Sequence, residues 1–220
     1  MSSISVAGDS SGSITIAAPA VAGSGTLTLP TGTDTLIGKA TVDTLTNKSI
    51  AASQLTGTIA AAALPAGSVL QVVSTTKTDT FTGTSSTYID LTGMSVTITP
   101  RSASNKILVS YSVNRSASAA AQSSIQILRD STAICIGDAA GSRTRATTAP
   151  YPSSADAVSS SITSAMTFLD SPATTSATTY KLQTRSDAAT TIYINRSGGD
   201  ANNADASRSA STITAMEIQG

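Results

Sequence analysis

Few side chains in this sequence could carry out chemistry, and most of those are aspartates and arginines in polar, loop-like stretches. Asp156, Asp170, Asp187, Asp200 and Asp205 are the carboxylates that could be paired across a glycosidic bond. Such a pair supplies an acid and a base or nucleophile. Each, however, has neighbours among which aspartate is favoured for bonding its own backbone, and no spacing singles out two of them. Histidine is absent, so the usual proton carrier at neutral pH is missing. Cys135 is the single cysteine. It can form no intrachain disulfide, and with no histidine it can build no Cys/His metal site. Its apolar surroundings, residues 132–136, have no basic cluster to lower its pKa, so it reads as a small buried hydrophobe. The run Ser197-Gly198-Gly199-Asp200 follows a strand pattern but opens no helix, so it reads as a turn rather than a phosphate cradle. No phosphate-binding loop or dinucleotide fingerprint is present. The expectation is a non-enzymatic protein with no catalytic, metal-binding or cofactor-binding residues and no cofactor.

Recognition is the remaining chemistry. Arg143, Arg145 and Tyr151 fall in a polar stretch at 137–158, and Arg196, Asp200, Asn202 and Arg208 in a second at 195–209. Arginine pairs well with carboxylates and phosphates, and tyrosine can stack on a sugar face. These seven are the candidate receptor contacts. The alternative is that they are solvated loop residues or weak ion pairs. A loop as long as 137–158 is uncommon unless it has a function. The sequons at Asn47, Asn114 and Asn195 would matter only in a secreted eukaryotic protein.

The elements that must hold those loops read as strands. Ser and Thr make up roughly a third of the 220 residues, charged residues only 12%, and Glu217 is the single glutamate. Strong helix formers other than Ala are scarce, whereas Thr, Val and Ile suit a pleated surface. Alternation of apolar and polar residues predicts strands at 3–6, 13–16, 25–30, 68–73, 87–91, 95–99, 106–113, 124–129, 132–136, 161–169, 179–184, 190–194 and 211–218. Asp130-Ser131 reads as a hairpin turn. A short Ala-rich helix is expected at 50–63. The pattern divides the chain into an arm at 1–40 with short strands, a linker or stalk at 41–66, and an antiparallel β-sandwich or jelly roll at 67–220.

Charge excludes some partners. The net charge is zero, with 13 basic and 13 acidic groups and no basic stripe, so nucleic acid is not expected. No apolar stretch has the length of a membrane span. Residues 1–20 lack the basic and apolar regions of a secretion signal, so synthesis and use from a cytoplasm are expected. The arm has too few large apolar residues to close a core of its own. Its strands are expected to pair with copies of themselves or with a docking surface.

Residues 13–36, with Ser13-Ile14-Thr15-Ile16 and Gly25-Thr26-Leu27-Thr28-Leu29-Pro30, resemble the N-terminal module of tailed-bacteriophage fibre proteins. Asp43-Thr44-Leu45-Thr46-Asn47-Lys48-Ser49-Ile50 does so too. The stretch 63–72 is similar to the junction leading into a fibre's C-terminal domain, and 99–109 to a loop-then-strand unit of such domains. The resemblance implies an all-β homotrimer whose C-terminal domain is a jelly roll similar to the C1q and tumour-necrosis-factor folds. It implies a tail or head fibre of the virion, assembled in the host bacterial cytoplasm. Residues 1–40 would contact other virion proteins, and the C-terminal domain a host-surface glycan or protein. The alternative within that family is a purely structural head fibre or collar component. For the core shared between three copies, the apolar stripes Ile107, Val109, Tyr111, Val113, Ile192 and Ile194 are the candidates.

Overall fold

The computed structural model describes residues 3–7, 13–17, 49, 51, 53, 57, 59–119, 122–150, 161–187, 190–204 and 206–220. The chain forms two compact units, Met1–Thr56 and Gly57–Gly220. In the first, β1 (Ser3–Ala7) and β2 (Ser13–Ala17) pair antiparallel, with Ile4 opposite Ile16 and Val6 opposite Ile14. The alternation that predicts both strands thus also sets their register. The strand expected at 25–30 lies outside the described residues. In the stretch expected to be helical, the described residues show only 3-10 geometry, at Ser53 and at Ala61–Ala63. A single turn between Gly57 and Pro65 cannot recover the cost of nucleating an α-helix.

The second unit is all-β. Its strands are β3 (Val69–Lys77), β4 (Phe81–Gly83), β5 (Ile89–Ile98), β6 (Lys106–Ala117), β7 (Ser123–Arg129), β8 (Thr132–Ile134), β9 (Ile162–Asp170), β10 (Thr178–Ser186), β11 (Ile192–Ile194) and β12 (Ser211–Ile218). All pairings are antiparallel. One sheet has the order β5-β10-β7-β8; the other runs β3-β12-β6-β11-β4, with β9 also on β6. The pairs β3–β12, β5–β10, β6–β9 and β7–β8 are nested along the chain, the first strand with the last and the innermost with each other.

The two sheets form a β-sandwich around one core. Every second residue of the long strands points into it: Val96 and Ile98 on β5, Ile125 and Ile127 on β7, Tyr180 and Leu182 on β10, Ile213 and Ala215 on β12. Apolar burial of this kind stabilises by about 25 cal/mol per Å². The six residues expected to be shared between three copies belong to the same core. Ile107, Val109, Tyr111, Val113, Ile192 and Ile194 are at most 3% exposed within the single chain. They face the opposite sheet of their own sandwich and are not on offer to another copy. This corrects the expectation, which had no means of choosing between the two faces of a sheet.

Two strand assignments change. The segments 87–91 and 95–99 are one strand, β5, bent where Gly93 takes φ +83° and the pairing with β10 shifts register. A left-handed glycine inside a strand marks a bulge, not an end. The short strand β4 has no counterpart in the sequence reading. Its three residues, Phe81-Thr82-Gly83, are too few to show a period.

Candidate functional site

The sandwich has two chemically different ends, defined by register. At one end Val69 and Lys106 flank Ile218, and Ile107 lies opposite Asp170. The chain arrives there at Gly67, whose N–H donates to the Gln219 carbonyl, and it finishes there at Gly220. This base is tied by buried carboxylates. Glu217 is 0% exposed and accepts from Asn105 Nδ2, Gln71 Nε2 and the Arg101 N–H, each at 2.6 Å. Burial alone would raise its pKa; the three donors outweigh burial and hold it below the usual carboxylate value. Asp170 accepts from Tyr180 Oη at 2.6 Å, and Arg129 Nη1 lies 3.0 Å from both of its oxygens. The pKa of Tyr180 is raised, by burial first and then by the Asp170 carboxylate.

At the opposite end Lys77 pairs with Ser211, Arg115 with Ile162, and Ser186 with Ser123. The connections 118–122, 149–161, 187–191 and 195–210 join strands there. The one at 195–210 stands on Asn195, fully buried at φ +62°. Its Nδ2 donates to the carbonyls of Lys77 at 2.8 Å and Asp79 at 3.0 Å, and its Oδ1 accepts from Ser211 Oγ at 2.6 Å. Asparagine suits this position because it tolerates a left-handed backbone and offers both donors and an acceptor.

Above Asn195 the loop closes into a neck where Arg196 and Arg208 pair as an isolated bridge. Asp200 sits between the two guanidiniums, 3.3 Å from Arg196 Nη1 and 2.8 Å from Arg208 Nη2. The Arg196 guanidinium also lies 3.7 Å from the centroid of the Tyr193 ring. Among the described residues one carboxylate serves both guanidiniums, and the Arg208 side chain is 57% exposed.

Three of the seven expected contacts, Arg196, Asp200 and Arg208, are therefore brought together, with Asn202 exposed on the same loop. Arg143 and Arg145 are exposed on another connection. Arg145 Nε holds that segment together through the Gly137 carbonyl at 2.6 Å. Tyr88 Oη reaches the Arg145 carbonyl at 2.8 Å and anchors it beside the sheet that carries β5. Tyr151 lies outside the described residues. Tyr193 was missed. Its signal was the alternation of 192–194, which turns it away from the core while Ile192 and Ile194 face inward.

Of the five aspartates weighed for glycan cleavage, the three described each face a guanidinium: Asp170 that of Arg129, Asp187 that of Arg185, and Asp200 those of Arg196 and Arg208. Asp156 and Asp205 lie outside the described residues. No cluster of three or more potential metal ligands occurs among the described residues, and no described helix is long and apolar enough to cross a membrane. Cys135 is half-buried at φ +51°, and burial raises its pKa. The chain matches no family model, and no curated protein is detectably similar to it.

Proposed function

We propose that this chain is a structural fibre protein of a tailed-bacteriophage virion. In this reading residues 1–40 attach it to the particle, and its C-terminal sandwich carries a recognition surface for the host. The observation that carries the reading is the polarity of the sandwich. The chain arrives at the base, and the Arg196–Asp200–Arg208 neck stands at the opposite end. That arrangement suits a module held at one end and presented at the other. The nested pairing of β3 with β12, β5 with β10, β6 with β9 and β7 with β8 is the order of a jelly roll, which supports the resemblance to C1q-like domains.

The outer face of the sheet containing β3, β12, β6 and β9 supports self-association. Register sets Val72, Met216, Leu108 and Leu169 in one row across four strands. Val72 is 53% and Leu169 45% exposed. The neighbouring row is Ser74, Thr214, Ser110 and Thr167, and Lys106 at the base is the one charged residue among the outward positions of these strands. The outer face of the other sheet carries Asp90, Lys181 and Arg185. A face with an apolar row and a single charge at its base is the natural surface for further copies of this chain.

Deleting residues 197–207 from the full-length protein tests the recognition role. Adsorption of particles carrying that variant is expected to fall while the oligomer stays intact; unchanged adsorption would favour the alternative, a head fibre or collar component with a purely structural role. The solution mass tests the oligomer, which is expected near three times 21.9 kDa. Leu108→Glu should return it towards the monomer value.

A further inference from the structure

We propose that Arg115 and Ser164 bind a small monovalent anion of chloride size inside the sandwich, at the end away from the base. The inference is independent of the fibre reading. Arg115 is 2% exposed, and none of the ion pairs among the described residues includes it. Its Nη1 donates to the backbone oxygen of Ser123 at 2.8 Å and also to Ser123 Oγ, and its Nη2 donates to the Pro150 carbonyl at 2.7 Å. Its Nε–H makes no hydrogen bond. All three partners are neutral, so among the described residues the charge has no counter-ion. A buried guanidinium without an anion is costly, and buried charges are as a rule paired.

Ser164 is the second half of the site. It is 4% exposed, and its Oγ is also without a hydrogen-bond partner. Register places Ile162 opposite Arg115 and Ser164 opposite Val113, so Arg115 and Ser164 are diagonal neighbours on the inward face of paired strands. One N–H and one O–H donor then lie on the same inward face of neighbouring strands, beside a buried positive charge. A water molecule would meet the donors and leave the charge uncompensated. A carboxylate or phosphate is best held by a two-pronged guanidinium, whereas here both terminal nitrogens already bind protein oxygens. A monatomic anion suits the one remaining N–H and the hydroxyl. Tyr111 is the titratable group whose charge bears on Arg115; burial pushes its pKa up to about 12, so it is neutral at physiological pH. By neutralising Arg115 the anion would stabilise its place beside Ser123 and Pro150.

The test uses the full-length protein in sodium chloride and in sodium gluconate at matched ionic strength, with bromide as the crystallographic probe. Chloride is expected to raise Tm by about 2 °C or more over gluconate. Bromide should give an anomalous peak in contact with Arg115 Nε and Ser164 Oγ. Ser164→Ala, which removes only the hydroxyl, should fold and lose most of the chloride effect. Arg115→Met should lose all of it if it folds. Equal Tm in both salts, or an anomalous peak elsewhere only, would overturn the proposal, as would a chloride effect undiminished in Ser164→Ala.

Discussion

Asn105 Nδ2 donates a 2.6 Å hydrogen bond to Glu217 Oε1, joining residues 112 positions apart inside the base of the sandwich. The same carboxylate accepts from Gln71 and from the Arg101 backbone, and Asn105 Oδ1 accepts from the Gly220 N–H. One anion therefore clasps β3, the 99–105 connection and the last strand. It does so without a cation in contact among the described residues, by three N–H groups aimed at two oxygens.

Glu217→Leu is expected to cost about 3 kcal/mol, because it leaves donors buried without an acceptor. Urea denaturation at neutral pH measures it. The pH dependence has a fixed sign. The folded-state pKa of Glu217 is lowered, so its contribution is complete above the unfolded carboxylate value and is lost as pH falls through the folded one. Wild-type stability should fall in acid, and Glu217→Gln should flatten that fall.

Asp170 should matter as much, for a different reason. It accepts from Tyr180 and pairs with Arg129. Asp170→Ala leaves a buried phenol and a partly buried guanidinium without their acceptor, at a cost of about 3 kcal/mol. The tyrosines supply an alkaline signature. Those of Tyr111 and Tyr180 are raised in the fold, so the stability they confer is complete below the unfolded value near 10 and declines as pH rises above it. Absorbance titration should show at least two of the five tyrosines, the buried Tyr111 and Tyr180, ionising late, together with unfolding.

Asn195→Ala should be among the most damaging single changes away from the apolar core. It removes two donors to the Lys77 and Asp79 carbonyls and the acceptor for Ser211, and it puts alanine at φ +62°. About 3 kcal/mol is expected. Asp200→Ala is the contrast, since its partners are partly solvated, and a loss below about 1 kcal/mol is expected. Thermal unfolding of the two variants side by side separates the footing of the loop from its tip.

Gly93→Ala should cost about 1–2 kcal/mol. Its φ of +83° opposes any Cβ, and that Cβ would stand 3.4 Å from Lys77 Nζ. Calorimetry of the variant checks it; a neutral result would mean that β5 straightens at the bulge.

Alternation alone located most of the sandwich. The residues of β12 and β9 were legible because every second position is apolar or small, and that period is local. It also put Ile107, Val109, Tyr111 and Val113 on one face. It could not say what that face meets, because whether a stripe faces the partner sheet or a second copy depends on how the strands are ordered. β5 was read as two strands because a glycine ends a strand as often as it bulges one, and only the pairing with β10 distinguishes the two.

The polar network was the least legible part. Glu217 was noticed as the single glutamate, yet nothing near it in sequence announces Asn105 or Gln71. Arg115 lies beyond the strand expected at 106–113 and nothing in the sequence singled it out. Composition and period thus determined on their own that the chain makes antiparallel β-structure with polar connections, since strand formation answers to neighbours one and two residues away. Tertiary structure alone decided which buried carboxylates tie the base, which arginines share Asp200, and that one guanidinium is enclosed with no carboxylate among the described residues. Those outcomes depend on side chains from strands distant in sequence meeting between two sheets.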